Sequence, residues 1–143
     1  MRNSKFLLSV PLVCLLAACS SKDDDDISQK PPEAAEKIYS DARAKIDDRD
    51  YKEAIKTFEE VERQHPYSPW ATNAQIMSAY ASYSMEDYDS AVSTLERFVK
   101  LYPDNESTPY AYYLIGMCYY EQISDVGRDQ KITEQALTAL REV

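Results

Sequence analysis

Sliding the 143-residue sequence against itself by 37 positions aligns Ala42 with Ala79 and Gly116, and Ala44 with Ala81 and Cys118. The same shift aligns Asp50-Tyr51 with Asp87-Tyr88, Ala54 with Ala91, Phe58 with Leu95, and Pro66 with Pro103. A period of this size marks stacked supersecondary units, each too small to bury its own apolar face alone. It restricts the chain to an array in which every unit leans on its neighbours.

Within a unit the spacing predicts two helices. Pro32 is placed to open a first helix running to about Ile46, and Asp50 with Glu53 forms a capping-box pattern for a second. Ala54, Ile55, Phe58 and Val61 then make one apolar stripe at helical spacing, with Lys52, Lys56, Glu59 and Glu60 off it. Pro66 ends that helix. The second unit opens at Ser68-Pro69, and Asp87 caps its second helix, which carries Ala91, Val92, Leu95, Phe98 and Val99. The third opens at Thr108-Pro109. Paired helices approach closely only where side chains are short, as at Ala42, Ala79, Gly116, Ala54 and Ala91.

This pattern resembles the tetratricopeptide repeat, whose usual unit is about 34 residues; the additional residues fit the loop after each terminal proline, as in His65-Pro66-Tyr67-Ser68-Pro69-Trp70. The fold expected is all-α, with helical hairpins stacked as a right-handed solenoid. The third unit leaves the register. Shifting Ala91 by 37 reaches Arg128, whereas the first suitable equivalents are Ala136 and Leu140, so about eight residues are inserted. They include Ser124, Asp125, Gly127, Arg128 and Asp129, a polar loop between helices. The sequence ends at Val143 inside an amphipathic pattern, which reads as part of a longer protein because a solenoid needs a solvated end.

Ahead of the repeats, Arg2 and Lys5 precede a largely apolar stretch over residues 6–18, and Ala17-Ala18 stand directly before Cys19. Thirteen residues are too few for a helix to span a bilayer core, which needs roughly 20. Small residues before the cysteine resemble a lipoprotein signal, in which the thiol is lipidated and cleavage follows. Cys19 then becomes the first residue, with lipid on its sulfur and its amine. Multiple acyl chains make such anchorage stable, since each buried methylene contributes about 0.8 kcal/mol. Ser20 at the next position favours sorting to the outer membrane. Residues 19–32, with four consecutive aspartates at 23–26 and Pro31-Pro32, read as a flexible, disordered tether. The domains expected are therefore a signal peptide at 1–18, a lipidated tether at 19–32, and a repeat domain at 33–143 holding about two and a half to three units.

Composition removes several classes of function. The formal charge is -9, and loss of Arg2 and Lys5 with the signal makes it -11. No basic cluster suited to phosphates is present, which argues against nucleic-acid binding. Cys14 leaves with the signal and Cys19 is lipidated, so Cys118 has no disulfide partner. Two glycines provide no phosphate-binding loop, and the single histidine, His65, has no ligand-spaced partner, so no cofactor or metal is expected. Carboxylate pairs such as Asp47 and Asp48 read as solvated repeat surface, and no catalysis is expected.

Twelve tyrosines are many for this length, and five fall within residues 110–120. Most suit a packing role, with the ring between helices and the hydroxyl led to water. Tetratricopeptide arrays line a concave groove with their first helices, and the resemblance places Tyr39, Arg43, Ile76, Tyr80, Tyr83, Tyr113, Met117 and Tyr120 there. Such a groove suits an extended peptide with apolar or aromatic side chains, with Arg43 available to a terminal carboxylate. His65, Tyr67 and Trp70 in the long loop are further candidates, although Trp70 also suits a wedge between repeats.

Lipobox, tether, capped repeats and the prolines of 65–70 and Tyr102-Pro103 together resemble the BamD family of the outer-membrane β-barrel assembly machinery. The resemblance covers the whole chain, including the lengthened third unit. It implies a non-catalytic lipoprotein scaffold on the periplasmic face of the outer membrane. Its substrates are unfolded outer-membrane protein precursors, recognised partly by an aromatic-rich carboxy-terminal strand and helped towards membrane insertion. Its partners are the barrel-forming subunit, docked by later repeats, and the complex's other lipoproteins. The family commonly has tyrosine where His65 stands, a departure that puts any substrate contact of that tyrosine in doubt here while His65 itself stays a candidate. The alternative reading is a tetratricopeptide lipoprotein scaffold that organises cell-wall or envelope assembly.

Overall fold

The computed structural model describes residues 34–124 and 130–143, which lie within one compact unit, Pro31–Val143. They form six helices and, among the described residues, no strand: α1 (Ala35–Asp47), α2 (Tyr51–Gln64), α3 (Pro69–Ser84), α4 (Tyr88–Leu101), α5 (Thr108–Glu121) and α6 (Gln130–Leu140). Consecutive helices pack on one another throughout. Beyond neighbours in sequence, only the α1–α3 and α3–α5 backbones come close; those of α2 and α4 stand apart, joined by the Glu62–Arg97 ion pair at 3.7 Å, and those of α4 and α6 stand apart as well. The first helices of the units thus close up along one face while the second helices splay on the other. This is the curved stacking of a tetratricopeptide-like solenoid.

The repeat is visible at backbone level. Arg49 and Glu86, 37 residues apart, are the two non-glycine residues with positive φ among those described, at 61° and 63°. Behind each, the chain folds back by the same pair of bonds. Asp50 N–H donates to Lys45 O at 2.8 Å and Asp87 N–H to Ser82 O at 2.9 Å, with Arg49 to Ile46 O and Glu86 to Tyr83 O inside them. These are Schellman motifs built without glycine. The repeat ends match as closely: His65 (φ -135°, ψ 57°) and Tyr102 (φ -130°, ψ 58°) cap α2 and α4, each followed by a proline that cannot continue the helix.

Capping follows the sequence expectation in part. Asp87 accepts a hydrogen bond from Ser90 N–H, and Ser68 accepts from Trp70 N–H ahead of Pro69. Asp50 makes no side-chain cap bond, and Glu53 pairs with Lys56 Nζ at 2.6 Å instead of returning to the helix start. The capping box expected there does not form. At α5 the N-cap position is Ser107, which makes no side-chain cap bond, rather than Thr108, whose hydroxyl donates to Tyr102 O at 2.7 Å and ties the unit to the one before. Pro32, the signal, the tether and the loop residues Asp125, Gly127, Arg128 and Asp129 lie outside the described residues.

Equivalent core positions exchange size. Phe58 and Val61 of α2 correspond to Leu95 and Phe98 of α4, and all four are fully buried. One ring and one aliphatic chain fill each unit, in opposite order, so volume is roughly kept. Ala42, Ala54, Ala79 and Ala91 are also fully buried, which lets the helices close. Gly116 is the tightest case: a Cβ there would lie 2.6 Å from Leu140 Cγ of α6.

Candidate functional site

The first helices, α1, α3 and α5, present the aromatic side chains in two groups. In α1, Tyr39 and Arg43 lie one turn apart. The Tyr39 ring is half-buried, edge-on to Phe58 at 5.5 Å and tilted against Trp70 at 4.9 Å, so the first unit is tied to α3 through its rings. Tyr39, Arg43 and Trp70 line one open cleft of about 430 Å³ together with Glu36 and Asp47. Arg43 is exposed and makes no ion pair among the described residues, leaving its guanidinium fork available to an incoming carboxylate.

The second group spans α3 and α5. Tyr80 packs half-buried against the core of Ile76, Ala79, Leu95 and Phe98. Tyr110 and Tyr113 stand together on α5, their ring centroids 6.2 Å apart and each ring more than two-fifths exposed. Burial, then the neighbouring phenols of Tyr80 and Tyr113, raise the Tyr110 pKa above that of an ordinary tyrosine. Its hydroxyl therefore stays protonated, able to donate a hydrogen bond. Met117 lies one turn beyond Tyr113 and is half-buried.

The remaining expected site residues fall elsewhere. Ile76 is core, 6% exposed. Tyr83 turns towards the second helices: its ring meets Tyr88 of α4 at 5.8 Å and its hydroxyl donates to Glu121 Oε1 at 3.5 Å. Tyr120 is exposed, beside a separate cleft with Ile123, Leu137 and Leu140 of the third hairpin. His65 is a half-buried helix cap, and Tyr67 on the same loop is fully exposed. Cys19 lies outside the described residues. Tyr110 was not among the expected contacts, although its spacing three residues before Tyr113 puts both on one side of a helix.

Among the described residues no group of three or more His, Cys, Asp or Glu side chains is placed to hold a metal. Cys118 is free and fully buried, and burial pushes its thiol up to about 11, so it is protonated at neutral pH and a poor nucleophile. No described helix is long and apolar enough to cross a membrane.

Stacked hairpins with short-side-chain seams and exposed rings along the first helices define a helical-repeat scaffold of the tetratricopeptide type. The chain belongs to the YfiO, or BamD, family of outer membrane lipoproteins, whose family model matches residues 31–143. It is 42% identical over 142 residues to the outer membrane protein assembly factor BamD of Caulobacter vibrioides, covering 99% of this chain and 47% of that protein. The protein of the same name from Rickettsia prowazekii is 34% identical over 134 residues, covering 93% of this chain and 52% of its own. That of Neisseria gonorrhoeae is 32% identical over 120 residues, covering 82% and 45%. The chain thus spans about half the length of the curated relatives it matches.

Proposed function

We propose that this chain is a scaffold for outer-membrane protein assembly that receives unfolded precursors on the face formed by α1, α3 and α5. The relatives are assembly factors by name, and the family is one of outer membrane lipoproteins. The observation that carries the reading is the set of rings formed by half-buried Tyr80 and exposed Tyr110 and Tyr113, beside the Tyr39–Trp70 pair and the unpaired Arg43. Rings held on rigid helices offer large contact area with little rotamer entropy to lose, and they accept varied apolar side chains. Such a face suits an extended segment rich in aromatic residues, with Arg43 taking a carboxylate.

Residues 1–18 serve as the signal in this account, and Cys19 carries the lipid that holds the protein to the periplasmic face of the outer membrane. Residues 19–32 act as a leash reaching up to roughly 40 Å when extended. The repeat domain, 33–143, does no chemistry of its own. It holds precursors for a barrel-forming subunit and works beside other lipoproteins of the complex.

Depletion of the protein tests this. Levels of outer-membrane β-barrel proteins should fall, and expression of the wild-type protein should restore them while Tyr80→Ala/Tyr113→Ala restores them poorly. Unchanged barrel levels on depletion would overturn the reading.

A further inference from the structure

On the side of the array away from the rings, the backbones of α2 and α4 stand apart, bridged at one point by the Glu62–Arg97 ion pair, and the gap between them holds a cleft of about 500 Å³. Its floor is α3. Ser78 and Ser82 line it, and each lies two residues from Tyr80, about 200° around the helix at 3.6 residues per turn. They therefore face the opposite side from the aromatic face. Glu59 of α2 and Asp87 and Asp89 at the start of α4 stand around the cleft, and no lysine or arginine lines it.

The serines are the informative residues. Ser78 is 7% exposed and Ser82 6%, yet neither side chain has a hydrogen-bond partner among the described residues. Helix packing does not call for serine at these places. The same positions one repeat later are Ile115, buried, and Tyr119, half-buried, and they line the corresponding space between α4 and α6. Two hydroxyls thus point into an acidic cleft where the next unit places apolar and aromatic side chains.

We propose that this outer cleft docks an extended, lysine- or arginine-bearing segment of a partner protein. Four residues along a helix span about 6 Å, close to the repeat of about 6.7 Å between alternate residues of an extended chain. Ser78 and Ser82 can therefore bond alternate groups of one strand, while Glu59, Asp87 and Asp89 receive its cations. Charge complementarity selects the occupant: the 143 residues carry a formal charge of -9, and residues 23–26 are all aspartate. A second copy and the chain's own leading segment are both mismatched in charge. Among the described residues no metal-binding cluster competes for the carboxylates.

The probe is a fluorescein-labelled nonapeptide of alternating lysine and threonine, titrated onto the full-length lipidated protein in detergent, with alternating glutamate and threonine as control. The lysine peptide should bind. Glu59→Gln/Asp89→Asn should weaken binding about tenfold, and Ser78→Ala/Ser82→Ala about threefold or more. Glu134→Gln/Glu142→Gln, which removes the same charge outside the cleft, should have little effect. Absence of binding, equal loss from both carboxylate pairs, or no loss from the serine pair would each overturn the proposal. Circular dichroism confirms that the variants, all near-isosteric, remain folded.

Discussion

Phe98→Ala and Phe58→Ala remove comparable contacts but should unfold different amounts of the protein. Each ring is fully buried. Truncation takes away about half of the roughly 200 Å² that an aromatic residue buries, which is about 2.5 kcal/mol at 25 cal/mol per Å². A residual cavity of roughly 80 Å³ adds about 2 kcal/mol. Loss of the ring contact with Tyr102 at 5.3 Å, or with Tyr39 at 5.5 Å, adds about 0.5 kcal/mol and brings the total to about 5 kcal/mol. A domain of about 110 residues has roughly 5–15 kcal/mol to lose. The two rings differ in what they join. The Phe98 cluster draws on α3, α4, α5 and α6 (Ile76, Leu95, Leu114, Ala139), whereas the Phe58 cluster draws on α1, α2 and α3 (Ile38, Val61, Ala74). Since each unit is held by its neighbours, Phe58→Ala should loosen α1 and α2 and leave α4 to α6 protected. Phe98→Ala should lower protection in α3 to α6. Hydrogen exchange read by mass spectrometry, with urea unfolding for the total, separates the cases. Uniform loss of protection along all six helices in Phe58→Ala would refute the repeat-by-repeat account.

Two further outcomes follow from local geometry. Glu86 holds a left-handed conformation that costs an L residue about 1 kcal/mol, so Glu86→Gly should stabilise by up to about 1 kcal/mol while Glu86→Val, with its branched Cβ, destabilises by more than that; urea midpoints decide. Glu62 is half-buried and meets Arg97 of α4 at 3.7 Å; burial raises its pKa, with the Arg97 charge and a hydrogen bond from Gln75 opposing. A folded-state pKa above the unfolded one means the native state binds the proton more tightly, so Glu62 favours folding at low pH and loses that contribution as pH rises through its folded pKa. Glu62→Gln should therefore gain stability relative to wild type between pH 4 and pH 7; a stability difference independent of pH would contradict the assignment.

The regular parts of the fold were legible because their causes are local. Short side chains at Ala42, Ala79 and Gly116, stripes at Ala54-Phe58-Val61 and Ala91-Leu95-Phe98, and prolines at 66 and 103 determined helix, seam and stop. The lengthened third connection was legible too, since α5 ends at Glu121 and α6 begins at Gln130 where the earlier hairpins turn in three residues. The aromatic face was only partly legible. α3 is packed by α2 and α4 and touched by α1 and α5, so it is apolar nearly all round, and its periodicity does not say which positions face outward. That is why Ile76 falls in the core and Tyr83 turns to Tyr88 and Glu121, while Tyr80 remains on the face. Asp50 likewise carries a capping pattern that is not completed: its side chain makes no cap bond, and the Glu53 carboxylate that would return to its N–H is held by Lys56.

The most direct test of the receiving face is site-specific photocrosslinking in growing cells, with a photoreactive phenylalanine analogue at Tyr80 or Tyr113 and, for comparison, at exposed Lys52 on α2. Newly exported outer-membrane β-barrel precursors should be captured from Tyr80 and Tyr113 and not from Lys52. Equal capture from all three positions, or capture of cell-wall enzymes in place of barrel precursors, would contradict it.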